Sequence, residues 1–247
     1  MTGTTVHEVA DGIYRISTAV PAPEIGGFTF NQFLVVDDEP LLFHTGLRAV
    51  FPGTAEALAR VLPPGTLRWI AWSHHEADES GALNDLLALA PRAEPACSAV
   101  GAMTSANDLA SRPPRALRDG DVLRLGRHEV VWIDAPHVPH GWDCGFLFER
   151  RTRTLLCGDL FTQAGAAGPP HTEGDILGPS EAMRAAMDYY AHGPATRPTL
   201  ERLAALEPRT LACMHGSSWT GDGAALLRAL ADALGEPGSS RTKLAST

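Results

Sequence analysis

The sequence contains no run of about 18 consecutive apolar residues, so nothing in it is long enough to cross a membrane as a helix. Its first stretch, "MTGTTVHEVADGIYRI", lacks the basic start and apolar core of a secretion signal, and the expected compartment is the cytoplasm. Cysteine is scarce. The four present, Cys97, Cys144, Cys157 and Cys213, form no CxxC pair and lie in or beside apolar runs, as buried reduced thiols do. Positive charge is also short. A net charge of −9 argues against a nucleic-acid partner, which normally calls for a basic surface.

What is present describes an ordinary globular chain. Its 247 residues are 44% hydrophobic and 20% charged, enough for one large or two small domains. "GIYRIST", "FNQFLVV" and "LLFHTG" read as strands, and "PGTAEALARVL" as a helix stopped by Pro63-Pro64. "LRWIAW" is a buried strand, followed by the helix "SGALNDLLALA". The second half repeats the scheme. "PACSAV" is a strand and "VGAMTSANDLA" a helix, "DVLRLG" and "HEVVWIDAP" are strands, and "CGFLFE" with "TLLCGD" makes a hairpin. Residues 162–180 are rich in Gly and Pro and predict a long irregular loop, of the kind that is either a functional cover or a disordered segment. Then come the helices "SEAMRAAMDYYA" and "RPTLERLAAL", the strand "RTLACM" and the helix "GAALLRALADAL". This alternation, with hairpins implying antiparallel pairs, predicts an α/β (α+β) fold: a four-layer αββα sandwich in a single domain over residues 1–235. Residues 236–247 read as a disordered tail.

Titratable groups crowd the strand ends. "SHHEADESGAL" follows "LRWIAW" and carries His74, His75, Glu76, Asp78 and Glu79. An ordinary solvated turn is one explanation, because Asp, Glu and Ser are common there. A metal site is the other. "WIDAPHVPHGWD" supplies His137 and His140, "TLLCGD" ends in Asp159, and "TLACMHGSSW" carries His215. Four separate strand ends thus each bear an imidazole or a carboxylate, which favours a metal site over chance.

These motifs resemble the metallo-β-lactamase fold superfamily over almost the whole chain, and within it the di-iron branch of flavodiiron and oxygen-binding proteins. That branch shows His-x-Glu-x-Asp-His before Ser-Gly; here the run is His74-x-Glu76-x-Asp78-Glu79-Ser80-Gly81. The "HGWD" of His140, the "CGDLF" of Asp159 and the "MHGSSW" of His215 match its later motifs. The resemblance implies one metal on His74, Glu76, His140 and Asp159, and a second on Asp78, Asp159 and His215. Glu79 stands where the branch has His, and either ligates or faces solvent; Asp78 and Glu79 are the candidate catalytic carboxylates. His137 remains the rival of His140.

By this resemblance the cofactor is two iron ions, with zinc or manganese less expected. Four carboxylates roughly cancel two divalent ions and leave little charge to acidify a bound water, the central step of zinc hydrolysis. The implied activity is dioxygen binding and activation, as an oxygenase on a small organic substrate or an O2 or NO reductase. The alternatives are a metal-dependent hydrolase of thioesters, lactones or phosphodiesters and a non-catalytic oxygen sensor. No flavodoxin-like segment follows the metal domain, so a redox role implies a separate electron donor; a homodimer is compatible. His44 is read as a polar strand end or a support for the ligands, His75 as facing away from the site. His7, His128, His171 and His192 are read as surface residues. Trp142, Trp219 and Phe161 are candidate pocket walls, joined by Tyr189 and Tyr190.

Overall fold

A computed structural model describes residues 3–235; the tail predicted over 236–247 lies outside the described residues. Two seven-stranded sheets pack face to face with helices on both outer sides. The first sheet runs in chain order from β1 (Thr5–Ala10), β2 (Ile13–Val20) and β3 (Phe28–Val35) through β4 (Leu41–Phe43) and β5 (Trp69–Ala71) to β6 (Glu94–Ser98) and β7 (Arg115–Leu117). Its first four strands pair antiparallel, and β4 to β7 pair parallel. In the second sheet, β8 (Val122–Arg124), β9 (Glu129–Asp134), β10 (Gly145–Glu149) and β11 (Thr154–Leu156) form an antiparallel meander. Next to β11 lies β13 (Thr210–Ala212), parallel to it, then β14 (Ser218–Thr220) and the edge strand β12 (His171–Thr172).

The layering follows from side-chain alternation along each strand. In β3, Phe33 and Val35 enter the core between the sheets, while Leu34 packs on the outer helical layer. Leu41 and Phe43 of β4 point inward and Leu42 outward in the same way. These strands are apolar on both faces because both faces are covered. The first sheet is covered by α1 (Phe51–Ala59) and by α3 (Leu83–Leu89), with Leu58, Leu86 and Leu87 fully buried. On the second sheet, α7 (Thr196–Ala205) and α8 (Gly223–Gly235) pack together, and Leu227, Leu230 and Ala231 supply a stripe at helical spacing.

Three sequence expectations need correction. The helix over "SEAMRAAMDYYA" is displaced: α6 spans Leu177–Ala186 and Met187 is extended. From Met187 the chain is drawn across the His140 loop, where Ala191 N donates to Pro139 O at 2.8 Å and Tyr190 is buried in the core. Tertiary contacts here outweigh helical propensity. The segment 162–180 is not irregular throughout, because it contains β12 and the first turn of α6. It is tied down by Gly165 N to Gly27 O at 3.0 Å and Ala166 N to Gly26 O at 3.2 Å. His128 is not a surface residue: it is fully buried, its Nδ1 3.0 Å from the equally buried carboxylate of Glu149. The short strands β1, β7, β12 and β14 were not visible in the sequence pattern. Among the described residues no helix is long and apolar enough to cross a membrane.

Candidate metal centre

The ends of β5, β9, β11 and β13 meet at one edge of the sandwich, with the first sheet supplying Ser73–Glu79 and the second the rest. Two stitches hold the sheets in register there. Gly145 N donates to Ser73 O at 2.9 Å, and His75 N donates to Asp143 Oδ2 at 2.9 Å. Gly141 permits the approach of the His140 loop. Its φ is +77°, and a Cβ there would lie 3.2 Å from the Cβ of His74.

Asp159 is the centre of the cluster and has two faces. Its Oδ2 lies 3.5 Å from His74 Nε2 and 3.3 Å from His140 Nε2. Its Oδ1 lies 3.3 Å from His215 Nε2. Glu76 Oε1 joins the first group, 3.3 Å from His140 Nε2 and 3.7 Å from His74 Nε2. Asp78 Oδ2 joins the second, 3.5 Å from His215 Nε2. Glu79 lies within α2 (Ala77–Ser80), its side chain only 1% exposed and its Oε1 3.9 Å from His74 Nε2. Of the two readings of Glu79, burial excludes the solvent-facing one. All seven expected site residues converge. His137 does not join them; it is exposed, with φ +66°. His75 is exposed as well, and its Nδ1 contacts Ser80 Oγ at 3.0 Å. Phe161 is sealed in the core, whereas Trp142 is 57% exposed.

The second atoms of the imidazoles define what the cluster can hold. His140 Nδ1 lies 2.8 Å from Tyr189 O, and His215 Nδ1 lies 2.8 Å from Thr29 O. A carbonyl only accepts, so in both rings Nδ1 carries the hydrogen and Nε2 of the neutral ring presents a lone pair. Those lone pairs point at carboxylate oxygens, an arrangement of acceptors facing acceptors that needs a proton or a cation between them. His74 Nε2, Glu79 Oε2 and Asp159 Oδ1 are buried with no hydrogen-bond partner. Donors about 2.0–2.2 Å from one ion lie roughly 3–3.5 Å from each other, close to the spacings seen here. Three overlapping trios, His74–Glu76–His140, His74–Glu79–Asp159 and Glu76–Asp78–Glu79, each bring one donor atom per residue within 4.8 Å. The residues fit metal ions.

Electrostatics point the same way. The imidazoles of His140 and His74 beside it hold the Glu76 carboxyl down at about 2. Burial alone would raise Asp159, but the imidazoles of His215, His74 and His140 around it outweigh that and hold it below the usual range. Glu79 is driven well upward, first by burial and then by the charges of Asp159 and Asp78. His44, in strained φ +67° backbone, reaches His74 through a hydroxyl. His44 Nε2 lies 3.0 Å from Ser73 Oγ, which lies 3.0 Å from His74 Nδ1. Sequence reasoning did not find Ser73, Thr29 or the Tyr189 carbonyl, because orienting groups of this kind carry no residue-type signature.

Comparison with known proteins adds to this geometry. The family profile described as ODP family beta lactamase matches residues 28–216. Diflavin flavoprotein A 2 of a Nostoc species is 30% identical over 138 residues, 55% of this chain and 24% of its own length. The rubredoxin-oxygen oxidoreductase of Megalodesulfovibrio gigas is 28% identical over 207 residues, 79% of this chain and 50% of its own. The nitric oxide reductase of Moorella thermoacetica is 25% identical over 214 residues, 83% and 53% respectively. The chain thus spans from about a quarter to about half the length of these relatives. Among solved structures, a metal-soaked flavodiiron core from Synechocystis aligns with TM-score 0.82 and 21% identity, over 94% of this chain and 60% of that one. The rubredoxin oxygen:oxidoreductase of Desulfovibrio gigas aligns with TM-score 0.79 and 21% identity, over 95% and 63%. The shared fold is the metallo-β-lactamase-like sandwich.

Proposed function

The chain belongs to the ODP family beta lactamases, and on that premise we propose that it is a non-haem di-iron oxidoreductase that reduces dioxygen or nitric oxide with electrons from a separate donor. The observation that carries this reading is the two-faced carboxylate of Asp159, whose oxygens address separate imidazole groups. In this reading His74, Glu76 and His140 would hold one iron and Asp78 and His215 the other, with Asp159 facing both groups and Glu79 buried between them. Residues 1–235 act as one metal-binding domain, and four buried free cysteines favour a reducing, cytoplasmic setting.

Four carboxylates against three imidazoles favour iron over zinc, because the donor set neutralises two divalent ions and leaves little charge to activate a hydrolytic water. Iron bound here supplies the one-electron chemistry that reduction of dioxygen or nitric oxide requires. The protein's own share is positioning and proton control. Backbone carbonyls of Tyr189 and Thr29 fix His140 and His215 by their Nδ1 atoms. Phe28 stacks on His215 at 4.4 Å between centroids and Phe30 meets its edge, excluding water from that side. Without metal, burial and the charges of Asp159 and Asp78 favour the protonated form of Glu79, and binding of iron would displace that proton. Two relatives named for oxygen reduction and nitric oxide reduction support the substrate class.

Iron-supplemented expression tests this. The purified chain is expected to hold up to two irons and little zinc, and its anaerobic ferrous spectrum is expected to change on adding dioxygen or nitric oxide. Near-stoichiometric zinc from the same growth, with hydrolytic activity tracking it, would overturn the reading.

A further inference from the structure

A pocket lies beside Thr29, whose carbonyl meets Nδ1 of His215. Arg15 in β2 lies on the same face as Ile13, toward the gap between the sheets, and is 4% exposed. One nitrogen, Nη2, donates to Gly216 O at 2.9 Å, while Nε is buried with no partner. Among the described residues no carboxylate pairs with the guanidinium. Arginine is almost never buried without a counter-charge, and this one sits in a chain of net charge −9. Burial with no opposing carboxylate brings its pKa down to about 10.

The guanidinium lines a pocket of about 290 Å³ between β1, β2 and β3 and the strap around Gly168–Pro170. His7 is the cross-strand partner of Arg15, and Thr5 that of Ser17, so these four side chains share one face of the sheet. Thr29 completes the polar wall, and Ala166 and Pro170 give an apolar one. From this we infer that the pocket binds a small oxyanion, with its carboxylate or phosphate on Arg15 and its remaining oxygens within reach of the hydroxyls of Thr5 and Ser17 and the imidazole of His7. The planar guanidinium fork matches both anion types, and the pocket supplies the missing counter-charge. The site is distinct from the metal cluster but touches its support. Thr29 O orients His215, and Gly216 N donates to Thr29 Oγ1 at 2.7 Å.

The full chain as purified is titrated with inorganic phosphate, acetate and benzoate at constant ionic strength, by calorimetry and by thermal melting. Saturable binding of at least one probe is expected, weakened at least tenfold in Arg15→Gln and a few-fold in Ser17→Ala, with metal content unchanged in both. Binding of phosphate alone assigns a phosphate ligand, and binding of acetate or benzoate alone assigns a carboxylate. A response that merely follows ionic strength, or one equal in parent and Arg15→Gln, overturns the inference. Should Arg15→Gln fail to fold, the pair Ser17→Ala and His7→Ala decides by the same criterion. Binding is read without reference to iron content or oxygen chemistry, so failure here is distinguishable from failure of the di-iron reading.

Discussion

Glu79→Gln should stabilise the metal-free protein and destabilise the metal-loaded one. The Glu79 side chain is 1% exposed, has an unpartnered Oε2 and faces the charges of Asp159 and Asp78. Its folded pKa therefore lies above the unfolded value of about 4.3. Below that value the carboxyl is protonated in both states and costs nothing. As pH rises through the folded pKa, the unfolded state sheds its proton more readily and folded stability falls. Gln removes that loss, so the advantage of the variant should be absent near pH 4 and grow toward neutrality. A buried unsatisfied polar group costs about 1–3 kcal/mol, more when charged. At roughly 2–4 °C per kcal/mol for a chain of this size, the metal-free variant should melt a few degrees above the parent. Metal reverses the order. Ion at 100 times its Kd stabilises by about 2.7 kcal/mol, whereas a 100-fold weaker site at the same concentration gains only about 0.4 kcal/mol. The metal-induced rise in Tm should thus shrink by the equivalent of about 2.3 kcal/mol. Melting curves of both proteins, with chelator and with ferrous iron under anaerobic conditions, check this. A metal-free variant no more stable than the parent, with an undiminished metal increment, refutes the placement of Glu79 among the donors.

Ser73→Ala removes the hydroxyl linking His44 to His74 and should weaken metal binding about 10–100-fold while leaving the circular dichroism spectrum unchanged, as a competitive chelator titration reads. His140→Ala should lower metal content per chain and His137→Ala should not, because only His140 faces Asp159 and Glu76; metal analysis of the two purified variants separates them. Far from the centre, burial of Glu149 is outweighed by the bonds it accepts from Thr152 Oγ1, Thr152 N and Arg151 N and by His128 beside it, which lower its pKa. That stability is present above the unfolded carboxylate pKa and lost as pH falls through the folded one. Glu149→Gln should therefore cost about 1.5–3 kcal/mol at pH 7, with the gap from the parent closing in acid, as urea melts at pH 7 and pH 3 would measure.

Periodicity and punctuation in the chain were enough to determine the layer architecture. Runs such as "LRWIAW" and "TLLCGD" are apolar on both faces and end in ligand-type residues, so strand, burial and the position of the polar edge can be read together. The candidate donors His74, Asp159 and His215 were legible for this reason, since a metal site would need particular side chains at particular strand ends. Only the packing of one sheet on the other decided the rest. Glu79 has the local sequence of a solvated first turn, and its burial comes from Asp159 and His74 arriving against it. Tyr189 and Tyr190 continue a helical pattern, yet the segment leaves the helix because the His140 loop takes its backbone groups. His128 and Arg15 are polar side chains of types that usually sit at a surface. Each is buried because two elements distant in sequence close over it, and local propensity contains no record of such an encounter.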